Sequence, residues 1–199
     1  MRYFIGLDLS PADKLALENW RDKSLPEMPY NKPPAKSKQP ERHLRPVPPA
    51  NYHVTLCFLG SISPRQLEKT CQLLDDVTAA PFELTFDNTG YWSGPKIFHV
   101  APSVIPEPLT HLASQTHSVA RRAGIGVERR EYRPHVTLIR NVKSDFPAPL
   151  FVPQLTCRFS QFHLFESVSG NSGVHYPIRC SWSLSAGNSV REKLLHGHF

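Results

Sequence analysis

The tetrapeptide His-Val-Thr-Leu stands at residues 53–56 and recurs unchanged at residues 135–138. Both copies lie in apolar runs rich in β-branched residues, a pattern that predicts β-strands. Because residues two apart on a strand point to the same face, the histidine and the threonine of each copy should share a face. If the two strands lie side by side, two imidazoles and two hydroxyls meet in one cleft. Such a cleft is suited to proton transfer at both ends of a substrate whose charged centre is held between them.

Strict alternation also predicts what lies behind the first motif. Val54, Leu56 and Phe58 are expected on the face of the strand opposite His53 and Thr55. That face is apolar, as the core side of a strand should be. The polar face is therefore the unusual one, and it favours a functional role over a purely structural one.

Alternation and capping residues predict a chain of mixed strands and helices. Proline after serine marks two helix starts, at Ser10-Pro11 and Ser63-Pro64, and Gly124 marks a helix end. The predicted strands are residues 2–9, 52–59, 83–89, 96–101, 135–140, 161–168 and 175–184, and the predicted helices are residues 11–25, a segment from 64 onward, and 109–123. Two strand-helix-strand stretches, each with one His-x-Thr strand, suggest an internal duplication.

Residues 45–60 resemble the first motif region of the RNA 2',3'-cyclic phosphodiesterases, and residues 132–140 resemble the second. These enzymes are the bacterial 2'-5' RNA ligase-like family within the two-histidine (2H) phosphoesterase superfamily. Residues 2–7 resemble their opening strand, residues 82–92 a middle strand with its turn, and residues 165–167 a strand near the C-terminus. The resemblance thus runs through nearly the whole chain in order.

The resemblance implies an α+β fold that is bilobal, with pseudo-duplicated antiparallel sheets and outer helices around a central cleft. Residues 1–199 are expected to form a single domain of two lobes, with a Pro-rich basic insertion at about 26–49. This segment holds eight prolines, which exclude a regular helix or a central strand. Two readings of it stay open: a solvated loop, or a flexible basic arm that touches an RNA backbone.

Opening a cyclic phosphate requires an activated water, a proton for the departing ribose oxygen, and hydrogen-bond donors or cations for the phosphate oxygens. The resemblance implies that His53 is the proton donor and His135 the proton acceptor, although the residues alone do not say which is acid and which is base. Thr55, Thr137 and Arg140 are the implied phosphate-binding residues.

Arg140 poses a geometric difficulty. Strict alternation would turn it away from His135, so it must lie where the strand bends or ends, or reach around. The first copy has Phe58 at the matching place. The two half-sites are therefore not equivalent.

No metal or other cofactor is expected. The motif reads His-x-Thr, and threonine is a poor ligand for zinc. The single histidines His99, His163 and His175 are expected to be structural or surface residues.

Bulk properties predict a cytoplasmic protein. No apolar run reaches the roughly 18 residues of a membrane span, and Asp8 follows the start too soon for a signal peptide. Four cysteines without Cys-x-x-Cys spacing favour free thiols in a reducing compartment. The net charge of +6 suits a polyanionic partner. No membrane and no obligate protein partner is expected, and the chain is expected to be a monomer.

The expected function is hydrolysis of RNA and nucleoside 2',3'-cyclic phosphates to 2'-phosphomonoesters, with RNA ends that carry this group as partners. The reverse reaction with a 5'-hydroxyl RNA would form a 2'-5' linkage. Two alternatives from other classes stay open: a non-catalytic RNA-end-binding module of the same fold, and a duplicated β-protein in which the histidines are coincidental.

Overall fold

The computed structural model describes residues 1–25, 44–127, 131–142, 146–170 and 173–185. Eleven strands and three helices lie within these ranges. In chain order they are β1 (Arg2–Asp8), α1 (Pro11–Ser24), β2 (Arg45–Pro46), β3 (His53–Ser61), α2 (Pro64–Leu74), β4 (Phe82–Phe86), β5 (Asn88–Trp92), β6 (Ile97–Ala101), α3 (Glu107–Arg122), β7 (Val136–Arg140), β8 (Leu155–Phe159), β9 (Gln161–Gly170), β10 (Gly173–His175) and β11 (Ile178–Ser183). A short 3-10 turn at Pro49–Asn51 leads into β3.

Two larger sheets carry the two motifs. The first has the order β10-β9-β1-β3, with β11 also paired to β9, and the second has the order β2-β7-β6-β5. Strands β4 and β8 form a separate pair. Every described pairing is antiparallel. Because each sheet presents one His-x-Thr strand, the expected α+β fold with duplicated antiparallel sheets is confirmed.

The faces of β3 and β7 that point away from the motif side chains form part of the core. Val54, Leu56, Val136 and Leu138 are at most 2% exposed. Helix α3 packs against β3, and α2 packs against α3. Burial of these branched side chains contributes roughly 1.5–3 kcal/mol for each residue, so the core fixes which face of each motif strand is turned outward.

The helix starts follow the predicted capping residues. Ser10 accepts a hydrogen bond from the Asp13 backbone N–H at the start of α1. Ser63 and Gln66 form a reciprocal capping box at the start of α2. Gly124 follows α3 with a φ of +74°, the left-handed conformation that ends helices and that glycine adopts without a steric cost.

Two predicted strands are wrong as single elements. The predicted strand at residues 83–89 is divided into β4 and β5, which belong to different sheets. The predicted strand at residues 175–184 is divided by Tyr176 and Pro177. At residues 83–89 the pairing partner changes from β8 to β6, which only the tertiary structure shows. At the second break β10 and β11 both pair with β9, and the interruption falls at Pro177, which cannot donate a ladder hydrogen bond.

The Pro-rich segment lies largely outside the described residues, which resume at Leu44. Its last part forms β2, a two-residue edge strand in which Arg45 pairs with Arg140 and Pro46 with Ile139. An edge is the place in a sheet that tolerates proline. Within the described residues, none of the helices is both long and apolar enough to cross a bilayer.

Candidate active site

A β-bulge in β7 turns Arg140 into the cleft. Thr137 pairs with His99 and Ile139 pairs with Phe98, so Leu138 has no partner in β6. The extra residue shifts the alternation by one position. Leu138 and Ile139 are both buried, and Arg140 emerges on the same face as Thr137. The difficulty over the orientation of Arg140 is thereby resolved: the strand is bulged within the motif itself.

The first motif has the same bulge at the equivalent leucine, Leu56. Thr55 pairs with Gly6 and Cys57 pairs with Ile5, which leaves Leu56 as the extra residue. The prediction that Phe58 points away from Thr55 is therefore wrong. Phe58 lies on the cleft face and is 57% exposed. The matching bulges support the interpretation of the two halves as a duplicated unit.

Both motif histidines are held in the same way. His53 Nδ1 lies 2.7 Å from the carbonyl oxygen of Asn51, and His135 Nδ1 lies 2.9 Å from the carbonyl oxygen of Arg133. A carbonyl can only accept, so each Nδ1 carries the proton and donates it. In each neutral ring the unprotonated nitrogen is therefore Nε2, which is the tautomer that a base on the cleft side needs.

His53 lies in an aromatic enclosure. The ring of Phe4 lies 4.6 Å from it between centroids, and Tyr176 meets it edge-on at 5.0 Å. Burial, with a smaller contribution from the positive field of Arg140, lowers the pKa of His53 from 6.5 to about 4, against the hydrogen bond to Asn51, which raises it. His53 is consequently neutral at pH 7 in the free enzyme.

His135 packs against two rings that the sequence did not associate with it. The centroid of Trp92 lies 4.5 Å from that of His135, and the centroid of His99 lies 5.4 Å away. His99 is 4% exposed, and its Nδ1 has no hydrogen-bond partner. A Cβ at Gly90 would lie 2.7 Å from the His99 ring, so glycine leaves the space that this ring occupies.

His99 is buried, as a structural histidine would be, but its Nδ1 lacks the hydrogen-bond partner that a satisfied buried histidine has. It lies next to the catalytic candidate on the neighbouring strand, and burial lowers its pKa to about 4. No signal in the linear sequence could have paired residue 99 with residue 135, because the register of β6 against β7 is a non-local contact.

The entry to the first motif is anchored by a buried arginine. Arg21 of α1 donates hydrogen bonds to the Tyr52 hydroxyl at 2.8 Å and to the Val47 carbonyl at 3.3 Å. Asn51 donates to the Val174 carbonyl at 2.7 Å, which ties the turn before β3 to β10. These contacts fix the backbone carbonyl that orients His53.

The two motifs meet in one cleft of about 360 Å³. All five predicted site residues line it: His53, Thr55, His135, Thr137 and Arg140. Sequence reasoning missed other lining residues, which come from β1, β9 and the connection between β10 and β11: Arg2, Phe4, Ser167 and Tyr176. The arrangement offers two imidazoles, two hydroxyls and a guanidinium to one small anionic group.

Comparison with known proteins gives consistent results. Residues 34–98 match the sequence model of the family described as LigT like Phosphoesterase. The RNA 2',3'-cyclic phosphodiesterase of Escherichia coli (strain K12) is 29% identical over 187 residues, which cover 92% of this chain and 97% of that protein. The RNA 2',3'-cyclic phosphodiesterase of Bacillus subtilis (strain 168) is 31% identical over 129 residues, which cover 60% of this chain and 70% of that protein.

The fold matches solved structures as well. The structure of E. coli LigT complexed with 3'-AMP superimposes with a TM-score of 0.78 at 26% identity, covering 92% of this chain and 97% of that one. A protein of Thermus thermophilus, TT0787, superimposes with a TM-score of 0.73 at 24% identity, covering 94% of this chain and all of that one. By its sequence relatives and its fold, the chain belongs to the LigT-like phosphoesterase family.

Proposed function

We propose that this phosphoesterase hydrolyses RNA and nucleoside 2',3'-cyclic phosphates to 2'-phosphomonoesters by acid–base catalysis with its two His-x-Thr motifs. One observation carries the proposal: two imidazoles that present Nε2 as the unprotonated nitrogen share a cleft with two threonine hydroxyls and a guanidinium. The relatives named RNA 2',3'-cyclic phosphodiesterase support this choice of substrate.

In the proposed reaction, His135 Nε2 takes a proton from water as the water oxygen bonds to phosphorus. The bond from phosphorus to the ribose O3' breaks, and O3' receives a proton from His53. Thr55 and Thr137 donate hydrogen bonds to the phosphate oxygens, and Arg140 adds a bidentate, permanently charged donor. Acid–base steps of this kind contribute about 10² to 10⁴ in rate.

The donor role requires His53 to be charged in the substrate complex. In the free enzyme the low pKa of His53 arises from burial and from the positive field of Arg140. A bound phosphodiester brings a negative charge between these groups, and this favours the imidazolium. Protonation of His53 is thus coupled to substrate binding. The division of roles between the two histidines rests on the family resemblance, because both rings are held by the same hydrogen bond from Nδ1 to a backbone carbonyl.

We propose that the reaction needs no metal ion. Threonine takes the place that a second metal-binding histidine would need in each motif, and in the described part of the chain no cluster of three or more His, Cys, Asp or Glu side chains could hold a metal. If the reaction runs in reverse with a 5'-hydroxyl RNA as the nucleophile, the same groups would form a 2'-5' linkage.

The proposal extends to the organisation of the protein. Residues 1–199 are proposed to form one domain of two lobes that acts as a monomer on RNA ends. A reducing, cytoplasmic location is proposed because Cys57, Cys71, Cys157 and Cys180 are free thiols.

The test is hydrolysis of a nucleoside 2',3'-cyclic phosphate in excess chelator, with the position of the product phosphate read by phosphorus NMR. His53→Ala and His135→Ala should each lower kcat at least a few hundredfold. The double variant should be little worse than either single one, because the pair acts as a unit. His111→Ala, at an exposed position of α3, is the matched control.

Near-normal turnover in either single variant would contradict the assignment of the pair. A 3'-phosphate product would contradict the proposed bond cleavage. Loss of activity in chelator, with recovery on adding a divalent ion, would contradict metal independence.

A further inference from the structure

The cleft continues beyond the groups assigned to the reacting phosphate, and its far end is basic. Strands β1 and β9 pair without a bulge, so Arg2, Phe4 and Gly6 share one face of the sheet. Gly6 lies opposite Thr55, and Arg2 lies opposite Ser167. Both Arg2 and Ser167 line the cleft. Arg2 therefore stands on the catalytic face, at the end of β1 remote from His53.

The charge of the cleft exceeds what one cyclic phosphate needs. Its lining includes Arg2, Arg140 and two histidines, and none of the lining residues is an Asp or a Glu. Among the ion pairs of the described residues, none involves either of these two arginines. A cyclic phosphodiester carries one negative charge, which Arg140 beside Thr137 is placed to meet. Arg2 is a second guanidinium, and the reacting phosphate does not account for it.

An apolar stretch separates Arg2 from the first motif. The row of residues between Thr55 and Arg2 consists of Phe4, Phe58 and Phe165 on three neighbouring strands. From Gly6 to Arg2 the strand advances roughly 13 Å at about 3.3 Å per residue. Within this stretch the ring of Phe58 is exposed and offers an apolar surface, above the buried rings of Phe4 and Phe165. An anion site, an apolar surface and a second cation along one groove match a phosphate, a nucleoside and a further phosphate.

We propose that Arg2, assisted by the hydroxyl of Ser167, binds a second phosphate on the 5' side of the ribose that carries the cyclic phosphate. The inference rests on the proposed function, because it takes the reacting phosphate to lie between His53 and His135. The second phosphate has two possible sources: the 5'-phosphomonoester of a mononucleotide, or the phosphodiester that joins the preceding nucleotide. The enzyme should accordingly prefer substrates that carry either group.

The experiment compares three substrates: a nucleoside 2',3'-cyclic phosphate, the same compound with a 5'-phosphate, and a dinucleotide that ends in a 2',3'-cyclic phosphate. The readout is the preference ratio, which is kcat/KM for each two-phosphate substrate divided by kcat/KM for the first. The variants are Arg2→Gln and Arg2→Lys. Arg122→Gln removes an exposed arginine of α3 and is the matched control for net charge.

Arg2→Gln should lower the preference ratio at least tenfold, mainly through KM. The slope of log kcat/KM against log salt for the two-phosphate substrates should become shallower by about 0.7, the change for one phosphate contact. Arg2→Lys keeps the charge and should keep the salt slope. Loss of preference for both two-phosphate substrates assigns the site to any 5' phosphate, and loss for the dinucleotide alone assigns it to the phosphodiester.

An unchanged preference ratio in Arg2→Gln, or an equal loss in the Arg122→Gln control, would overturn the inference. Arg2→Gln enzyme that has lost activity on all three substrates by the same factor would overturn it too, because the effect would then not depend on a second phosphate. Wild-type enzyme that hydrolyses none of the substrates would overturn the proposed function, and the inference with it.

Discussion

Replacing His99 by Phe should make the fold less sensitive to acid. His99 is 4% exposed, and burial lowers its pKa from 6.5 to about 4. Between these two pH values His99 is protonated in the unfolded chain but not in the folded chain. The folded state therefore loses stability as the pH falls from 6.5 towards 4. At about 1.4 kcal/mol for each pH unit, the loss at pH 4.5 is about 2.5 kcal/mol for this one side chain.

The measurement is urea unfolding of the wild type and of His99→Phe at pH 7 and at pH 4.5. The free energy of unfolding should fall between the two pH values by about 2.5 kcal/mol less in the variant. Any packing cost of the larger ring at Gly90 is present at both pH values and cancels in this difference. His99→Leu provides a second variant with a smaller side chain.

His111→Gln is the matched control, since it removes a histidine from an exposed position of α3. If the wild type and both His99 variants lose the same free energy of unfolding between pH 7 and pH 4.5, His99 is not the buried neutral imidazole that the structure implies.

Three further predictions concern activity. The profile of kcat/KM against pH should be bell-shaped, because one imidazole must be neutral and the other protonated, and one of its two breaks should lie near pH 4, where burial holds the pKa of the proton donor His53 in the free enzyme; the matching break of kcat should lie higher, because a bound phosphodiester favours the imidazolium, and a kcat/KM profile with no break near pH 4 would refute this. Arg140→Lys keeps the charge but loses the bidentate donor pair, so kcat in steady-state assays should fall at least tenfold; an unchanged kcat would separate Arg140 from the reacting phosphate. Shortening the chain between Met28 and Arg42, with Arg45 onward intact, should leave turnover of a cyclic mononucleotide within about twofold. If the segment is a basic arm, the deletion should also weaken binding of an RNA oligomer and make the salt dependence of that binding shallower. Unchanged affinity and salt slope would mark the segment as a solvated loop.

The elements that the sequence predicted well are those with local causes. Helix starts at Ser10 and Ser63 and the helix end at Gly124 depend on hydrogen bonds and dihedral angles within a few residues. The motif strands follow from alternation over four to six residues. The division of residues 83–89 between two sheets depends on distant partners, because Phe86 pairs with Leu155 of β8 whereas Asn88 pairs with Ala101 of β6.

The sequence by itself determined which residue types are available for chemistry. The repeated His-x-Thr placed His53 with Thr55 and His135 with Thr137, since side chains two apart on a strand share a face whatever the strand pairs with. The family resemblance added Arg140.

Only the tertiary structure decided how these groups converge. At Leu56 and at Leu138 the motif strand has one residue more than the strand with which it pairs, and this extra residue forms the bulge. The register is set by partners about 40 to 50 residues away along the chain. The bulges turn Phe58 and Arg140 into the cleft. Pairing of distant strands likewise brings His99 against His135 and Arg2 to the far end of the cleft, because contacts across a sheet depend on register, which no local stretch of sequence encodes.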